Sequence, residues 1–308
     1  MKNNFLVKTV FSSMLAICLL AQPCWAVFES EAEAEISEEV HSEEGTLSPP
    51  SKSSEGSIFG SASASEMAET DEKLQYILSG LAFPANNGSW SVYICDLEKG
   101  TEGTVSDNKM QAASLIKLYI MGAVYESYDQ LTEQYGTENV YSKLYSMITV
   151  SDNDAANTLV SYLGGGDSSL GMAAVNNYCS VHGYDNTHMG RLLLQSNEYD
   201  DNYTSVSDCG HFLRNIYEGN AEEDEKCAAQ FELLAAQTRR NKIPAQMPAD
   251  ISIANKTGEL ADVENDAGIV YDSLNDLIIV FMSENVLEPG SAQETIASLS
   301  RQIYDAYS

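Results

Sequence analysis

Basic residues are scarce in this chain. It holds 16 Lys and Arg against 46 Asp and Glu, a formal charge of -30. Phosphate backbones are gripped by clustered Lys and Arg, so a nucleic-acid partner is excluded. Histidines number four (His41, His182, His188, His211) and have no metal-binding spacing. Of six cysteines, Cys18 and Cys24 fall in the first 26 residues, leaving Cys95, Cys179, Cys209 and Cys227. No C-x-x-C pair occurs, so structural thiols or disulfides are expected rather than zinc. Four cysteines allow three pairings, and the sequence does not choose among them. No Gly-rich phosphate loop is present, and nothing points to a nicotinamide, flavin, haem or phosphate cofactor. No apolar run reaches the roughly 18 residues of a membrane span.

The one long apolar run, Phe11 to Ala21, follows Lys2 and Lys8 and precedes Cys24-Trp25-Ala26. Positive start, apolar centre and small-x-small site are the order of a secretory signal peptide, read as residues 1–26. Gln22-Pro23 before Cys24 fits a lipid-attachment site poorly. Residues 27–72 hold 13 acidic residues and one lysine among Ser, Ala, Pro and Gly. Such a segment buries too little apolar surface to offset its ordering entropy. It is read as a disordered acidic stalk, a spacer in preference to a tail that binds cations or a basic surface. Residues 73–308 form the expected folded domain, secreted or attached to the cell envelope, and taken as a monomer by default.

Within that domain, strands flank a helical middle. Leu74, Ile77, Leu78 and Leu81 suggest an amphipathic helix over 73–81. Trp90, Val92 and Ile94 alternate with polar neighbours as a strand would. A weaker strand is expected over 101–107, a buried helix over 113–128, and short helices over 131–163. Further helices are expected over 169–178, 204–217 and 224–240. Strands return at 251–256, 267–271 and 277–282, followed by a helix over 291–306. The fold class is therefore α/β in the mixed α+β sense: an antiparallel sheet built from both chain ends, with an inserted helical region.

Three short motifs carry the chemistry. Ser114-Leu115-Ile116-Lys117 puts a hydroxyl and an amine on one side of a helical turn. A lysine kept neutral by burial can take the serine proton. Ser151-Asp152-Asn153 offers a second hydroxyl for proton relay and an amide for a substrate carbonyl, with Asp152 as a helix cap. Lys256-Thr257-Gly258 ends a strand with a positive charge, a hydroxyl for a carboxylate, and a glycine that lets substrate approach. The backbone N–H groups of Ser114 and Glu259 are then candidates for an oxyanion hole. Each motif alone also reads as a cap or a turn.

In this order, Ser-x-x-Lys, Ser-Asp-Asn and Lys-Thr-Gly resemble the motif set of the penicillin-recognising serine hydrolases, the penicillin-binding proteins and class A β-lactamases. The resemblance covers about 73–308 and is strongest to the class A branch. That branch is also suggested by Asp154-Ala155-Ala156-Asn157-Thr158-Leu159, the helix beginning at Thr204, and Ile243-Pro244. It implies that Ser114 is acylated, Lys117 and Ser151 move its proton, Asn153 orients the acyl chain, and Lys256 and Thr257 bind a carboxylate. One departure is large. The class A omega loop carries a glutamate that activates the deacylating water; here Arg191 resembles the loop arginine and Leu193 falls at the glutamate position. Glu198 is the nearest alternative base. A second departure is the lack of any arginine between 241 and 300. The resemblance thus implies a serine hydrolase of β-lactamase type, weak or atypical, acting on a β-lactam or related amide. The alternatives are a D-alanyl-D-alanine carboxypeptidase acting on peptidoglycan-like peptides, and a binding protein that traps β-lactams or senses the wall.

Overall fold

The computed structural model describes residues 64–271 and 273–308. The expected signal peptide, and the stalk as far as residue 63, lie outside the described residues. The first helix, α1 (Ala64–Ser79), starts nine residues before the expected one, inside the segment assigned to the stalk.

Strands β1 (Ser89–Asp96) and β2 (Thr101–Val105) come next. They are joined by a turn in which the Asp96 carboxylate accepts from the Glu98 and Lys99 N–H groups. A short strand β3 (Met110–Gln111) leads into a 3-10 turn over Ala113–Leu115, continued by α2 (Ile116–Glu126). Helices α3 (Tyr128–Tyr135), α4 (Thr137–Thr149), α5 (Asn153–Leu163) and α6 (Ser168–Val181) complete the first part of the helical region. After a long loop come β4 (Tyr203–Thr204), α7 (Val206–Ala221) and α8 (Glu225–Ala235). The chain closes with β5 (Ser252–Leu260), β6 (Val263–Tyr271), β7 (Leu277–Glu284) and α9 (Pro289–Tyr307). Helix starts follow local chemistry: Asp152, Asp167, Ser205 and Asp224 each accept a hydrogen bond from a backbone N–H of the following first turn.

Among the described residues the main sheet has the order β2-β1-β7-β6-β5, with every pairing antiparallel. Strands from the two ends of the domain meet at its centre, where Ile94 lies opposite Ile279. Alternation along the strands separates two cores. Val92, Ile94, Ile279 and Phe281 point to the terminal helices, against Leu74, Ile296 and Ile303. Tyr93, Cys95, Ile278 and Val280 point to the helical region, against Tyr119, Phe212 and Leu213. Central strand β7 is buried on both faces, as its near-continuous apolar sequence requires.

Strand β6 is longer than expected. Its first half contains Glu264, Asn265 and Asp266, all buried, which breaks the apolar pattern that marks a strand. Helix α8 is shorter than expected. After Ala235 the chain turns so that the Thr238 N–H and hydroxyl both donate to the Thr149 carbonyl. Among the described residues, Cys95, Cys179, Cys209 and Cys227 are free thiols, and no helix is long and apolar enough to cross a membrane.

Replacing the fully buried Ile279 by alanine removes side-chain volume from the core between the sheet and its terminal helices. The expected loss is about 2–5 kcal/mol in urea unfolding, with little change in slope.

Candidate active site

Ser114 sits in the 3-10 turn, and Lys117 in the first turn of α2. All of Ile116 to Tyr125 is buried, so the Lys117 amine is enclosed by its own helix and that helix's neighbours. Its Nζ lies 3.1 Å from Ser114 Oγ and 3.1 Å from Ser151 Oγ, and it donates to Ser151 O (2.6 Å) and Asn153 Oδ1 (2.7 Å). Burial, then the positive charge of Arg239, push the amine down to about 7 against the opposing pull of Asp152. A neutral amine has two N–H bonds and one lone pair. The two acceptors of Ser151 and Asn153 can occupy the N–H groups, which leaves the lone pair for a serine hydroxyl.

Lys256, on edge strand β5, has no exposed surface. Its Nζ donates to Ser151 Oγ (2.9 Å) and Thr257 O (2.8 Å). Burial, then Lys117 and Arg239, drive its amine well below the ordinary lysine range. Ser151 Oγ is therefore flanked by two amines. Two of the Lys256 donors are thereby directed to groups inside the fold. Its charge reaches the cavity through Ser151 and the neighbouring Thr257, which is itself buried.

The cavity is about 250 Å³ and is lined by Ser114, Asn153, Leu193, Leu194, Glu259 and Leu260, among others. With Asn153 Oδ1 held by Lys117, the amide NH2 remains to face it. Gly258 is required by contact. A Cβ there would stand 2.9 Å from Ala112 O and 3.2 Å from Ser114 N, so the strand passes directly beside the serine amide. Backbone strain gathers here as well: Ala113 (φ 47°), Ser151 (φ 62°) and Leu194 (φ 68°) occupy the left-handed region without being glycine.

The long loop is pinned at its base. Arg191 Nε donates to Asp201 Oδ1 at 2.6 Å, while Asp200 takes His188 instead. Asp201 Oδ2 also accepts from Gln111 and Asn197. Asn157 of α5 makes a two-way bond with Leu193, accepting from its N–H and donating to its carbonyl. The Leu193 backbone is thus fixed to α5, and the residue lines the cavity. Glu198, the alternative base, is exposed and does not line the cavity; its backbone N–H turns back to Ser196 Oγ. Tyr119 packs inside, with its hydroxyl against Thr204 Oγ1, and Tyr199 is exposed.

Two residues escaped the sequence reading. Arg239 donates to Glu259 Oε2 at 3.0 Å, and the fully buried Lys242 lies 3.2 Å from Glu259 Oε1. The one available signal was the rarity of such cations in an acidic chain, just before Ile243-Pro244. Among the described residues no cluster of His, Cys, Asp and Glu could hold a metal ion.

An antiparallel sheet, a helical insert and a Ser–Lys–Ser cluster at the sheet edge place the chain in the β-lactamase/transpeptidase-like fold. A family profile described as the beta-lactamase enzyme family matches residues 70–141 and 139–307, and the chain belongs to that family. Solved structures agree on the fold. The β-lactamase from Sphaerobacter thermophilus DSM 20745 is 20% identical, covers 76% of this chain and 97% of its own, and has a TM-score of 0.64. PBP-A is 25% identical over 77% of this chain and 96% of its own, with a TM-score of 0.64. A leucine-to-glutamate mutant of PBP-A, in an acyl-enzyme complex with penicillin G, has 22% identity over the same shares and a TM-score of 0.65. None of the curated proteins matches.

Selective labelling of lysine side chains and NMR titration should find Lys117 losing its proton near pH 7 rather than near its ordinary 10.5. In Arg239→Ala the midpoint should rise, since a nearby positive charge that favours the neutral amine is removed.

Proposed function

We propose that this protein is an exported serine acyl-transfer enzyme that opens β-lactams or related amides and releases the acyl group slowly. The observation that carries this reading is the pairing of a complete acylation cluster (Ser114, Lys117, Ser151) with Leu193 at the cavity wall.

In this reading Ser114 Oγ attacks the carbonyl carbon, and its proton passes to the neutral Lys117 amine. The developing oxyanion is met by the N–H groups of Ser114 and Glu259, which the approach of Gly258 to Ser114 N supports. The proton then travels through Ser151 Oγ to the departing nitrogen, the C–N bond breaks, and an ester on Ser114 remains. Lys256 stabilises negative charge on the relay hydroxyl. Asn153 and Thr257 hold the polar groups of the substrate. Water must then attack the ester. Leu193 offers no base to activate it, and Glu198 lies outside the cavity. PBP-A, which shares the fold, is known in a mutant form as an acyl-enzyme with penicillin G, and that supports a β-lactam as the acyl donor here.

The same acylation cluster suits a carboxypeptidase acting on cell-wall peptides, whose ester on Ser114 would likewise have to be cleared by water without a base at Leu193. The signal expected at 1–26 would deliver the domain outside the cytoplasm, with the acidic segment before α1 as a spacer and no resident cofactor needed for the chemistry.

Mixed with penicillin G, the intact protein should gain the mass of one whole penicillin, and the adduct should persist for many minutes. Ser114→Ala should show no adduct. Leu193→Glu should shorten the adduct lifetime by about 10²–10⁴-fold, the scale of general-base catalysis. A wild-type protein that neither forms the adduct nor hydrolyses the drug would remove β-lactams from the reading.

A further inference from the structure

Lys242 stands apart from the Ser–Lys–Ser cluster, against Gly258 and Glu259 of β5. It has no exposed surface, and its backbone angles (φ -123°, ψ -112°) lie outside the common wells. Its Nζ donates to two carbonyls and pairs with two carboxylates. Two are on β5: the Gly258 carbonyl at 3.2 Å and Glu259 Oε1 at 3.2 Å. Two are on β6: the Asn265 carbonyl at 3.0 Å and Glu264 Oε2 at 2.6 Å. A buried ammonium is tolerated only when its donors and charge are satisfied, and here both are. Its partners form a connected frame. Asn265 donates through Nδ2 to the carbonyls of Gln111 and Ala112, the segment just before Ser114. Glu264 Oε1 accepts from Gln293 of α9. Burial pushes the Glu259 carboxyl up, and the charges of Lys242, Arg239 and Lys256 outweigh it and leave it below its ordinary range.

The Lys242 contacts with the Gly258 carbonyl and the Glu259 carboxylate flank the peptide between those residues, whose N–H faces the acylation site in the reading above. We propose that Lys242 is a positioning residue for the oxyanion hole. By holding the Gly258 carbonyl and the Glu259 carboxylate against β6, it fixes the direction of the Glu259 N–H beside that of Ser114. The role rests on the proposed acyl-transfer function, and it is specific. Removing Lys242 leaves the groups that set the Lys117 amine, its own burial with Arg239 and Asp152, in place. The rate of bond making should fall, while initial substrate binding and the pH midpoint of acylation should not move.

The test uses stopped-flow acylation by a chromogenic penicillin, with wild type, Lys242→Met and Lys242→Arg compared, and folding checked by near-UV circular dichroism. Lys242→Met is expected to lose about 10–100-fold in the acylation rate constant, below the ~10²–10³ seen on deleting a whole oxyanion donor. Its non-covalent dissociation constant and pH midpoint should be unchanged, and Lys242→Arg should recover part of the loss. A folded Lys242→Met that acylates at the wild-type rate, or whose loss lies in binding or in the pH midpoint, overturns the proposal. If Lys242→Met does not fold, Glu264→Gln takes its place. It keeps the lysine, loses one carboxylate, and should lower the same rate constant by about 3–10-fold; an unchanged rate overturns the proposal equally. Amide hydrogen exchange separates this inference from the functional reading. Whether or not wild type is acylated, the Glu259 N–H should exchange faster in the variant that folds, with α2 unchanged, and equal exchange at Glu259 overturns the clamp.

Discussion

The burial of the Lys117 amine is the constraint on which the rest of the site depends. A lysine in water is charged and useless as a base at neutral pH. Enclosed by α2 and given the Ser151 carbonyl and Asn153 amide as acceptors, it sits near the point where the two protonation states balance. Its neighbours follow from that. The guanidinium of Arg239 disfavours the charged form, while Asp152 limits the effect, and a second buried lysine, Lys256, is itself pushed down by burial, Lys117 and Arg239. Beside Lys117, three further basic side chains (Arg239, Lys242, Lys256) gather around edge strand β5 of a strongly acidic chain. They give that edge a local potential opposite to the chain's net charge, suited to an oxyanion or a substrate carboxylate.

Architecture supplies the convergence. Ser114 precedes a buried helix, Ser151 precedes α5, and Lys256 lies on the edge strand, so no single element could carry all three. The sheet built from both ends of the domain brings β5 against the turn before α2. Gly258 makes that contact possible. The left-handed backbone at Ala113 and Ser151 costs about 1–2 kcal/mol per residue, and it is located where the two hydroxyls must be aimed at one amine. The long loop, closed by Arg191 with Asp201 and tied to α5 by Asn157, then places Leu193 at the cavity wall.

Much of this was legible in the sequence, and the exceptions have physical causes. Ser114, Lys117, Ser151, Asn153 and Lys256 belong to short motifs, so their proximity could be inferred from order alone. Strands β1 and β7 were legible because their burial is periodic or continuous. The early part of β6 was not, because Glu264, Asn265 and Asp266 are buried polar residues whose partners come from elsewhere. Asp266, pushed up to about 6 by burial, accepts from Asn255 and from the Ile243 N–H. The start of α1 was hidden by acidic residues that resemble the stalk in composition but are compatible with a helix. Arg239 and Lys242 carried no motif. Their importance arises only when the chain after α8 is folded back against Thr149 and beneath β5. Leu193 was the informative absence: its register was read from Arg191, and the two-way bond with Asn157 gives it a fixed place.

The central claim is that a neutral Lys117 drives acylation of Ser114. Its most direct test is the pH dependence of the acylation rate constant, measured by rapid mixing from about pH 5 to about pH 9. The amine must lose its proton to act, so the rate should rise with pH, pass its midpoint near 7 and level off above it. In Arg239→Ala the same curve should move to higher pH. A rate that is flat across this range, or still climbing at its upper end as for an ordinary lysine, would contradict the account.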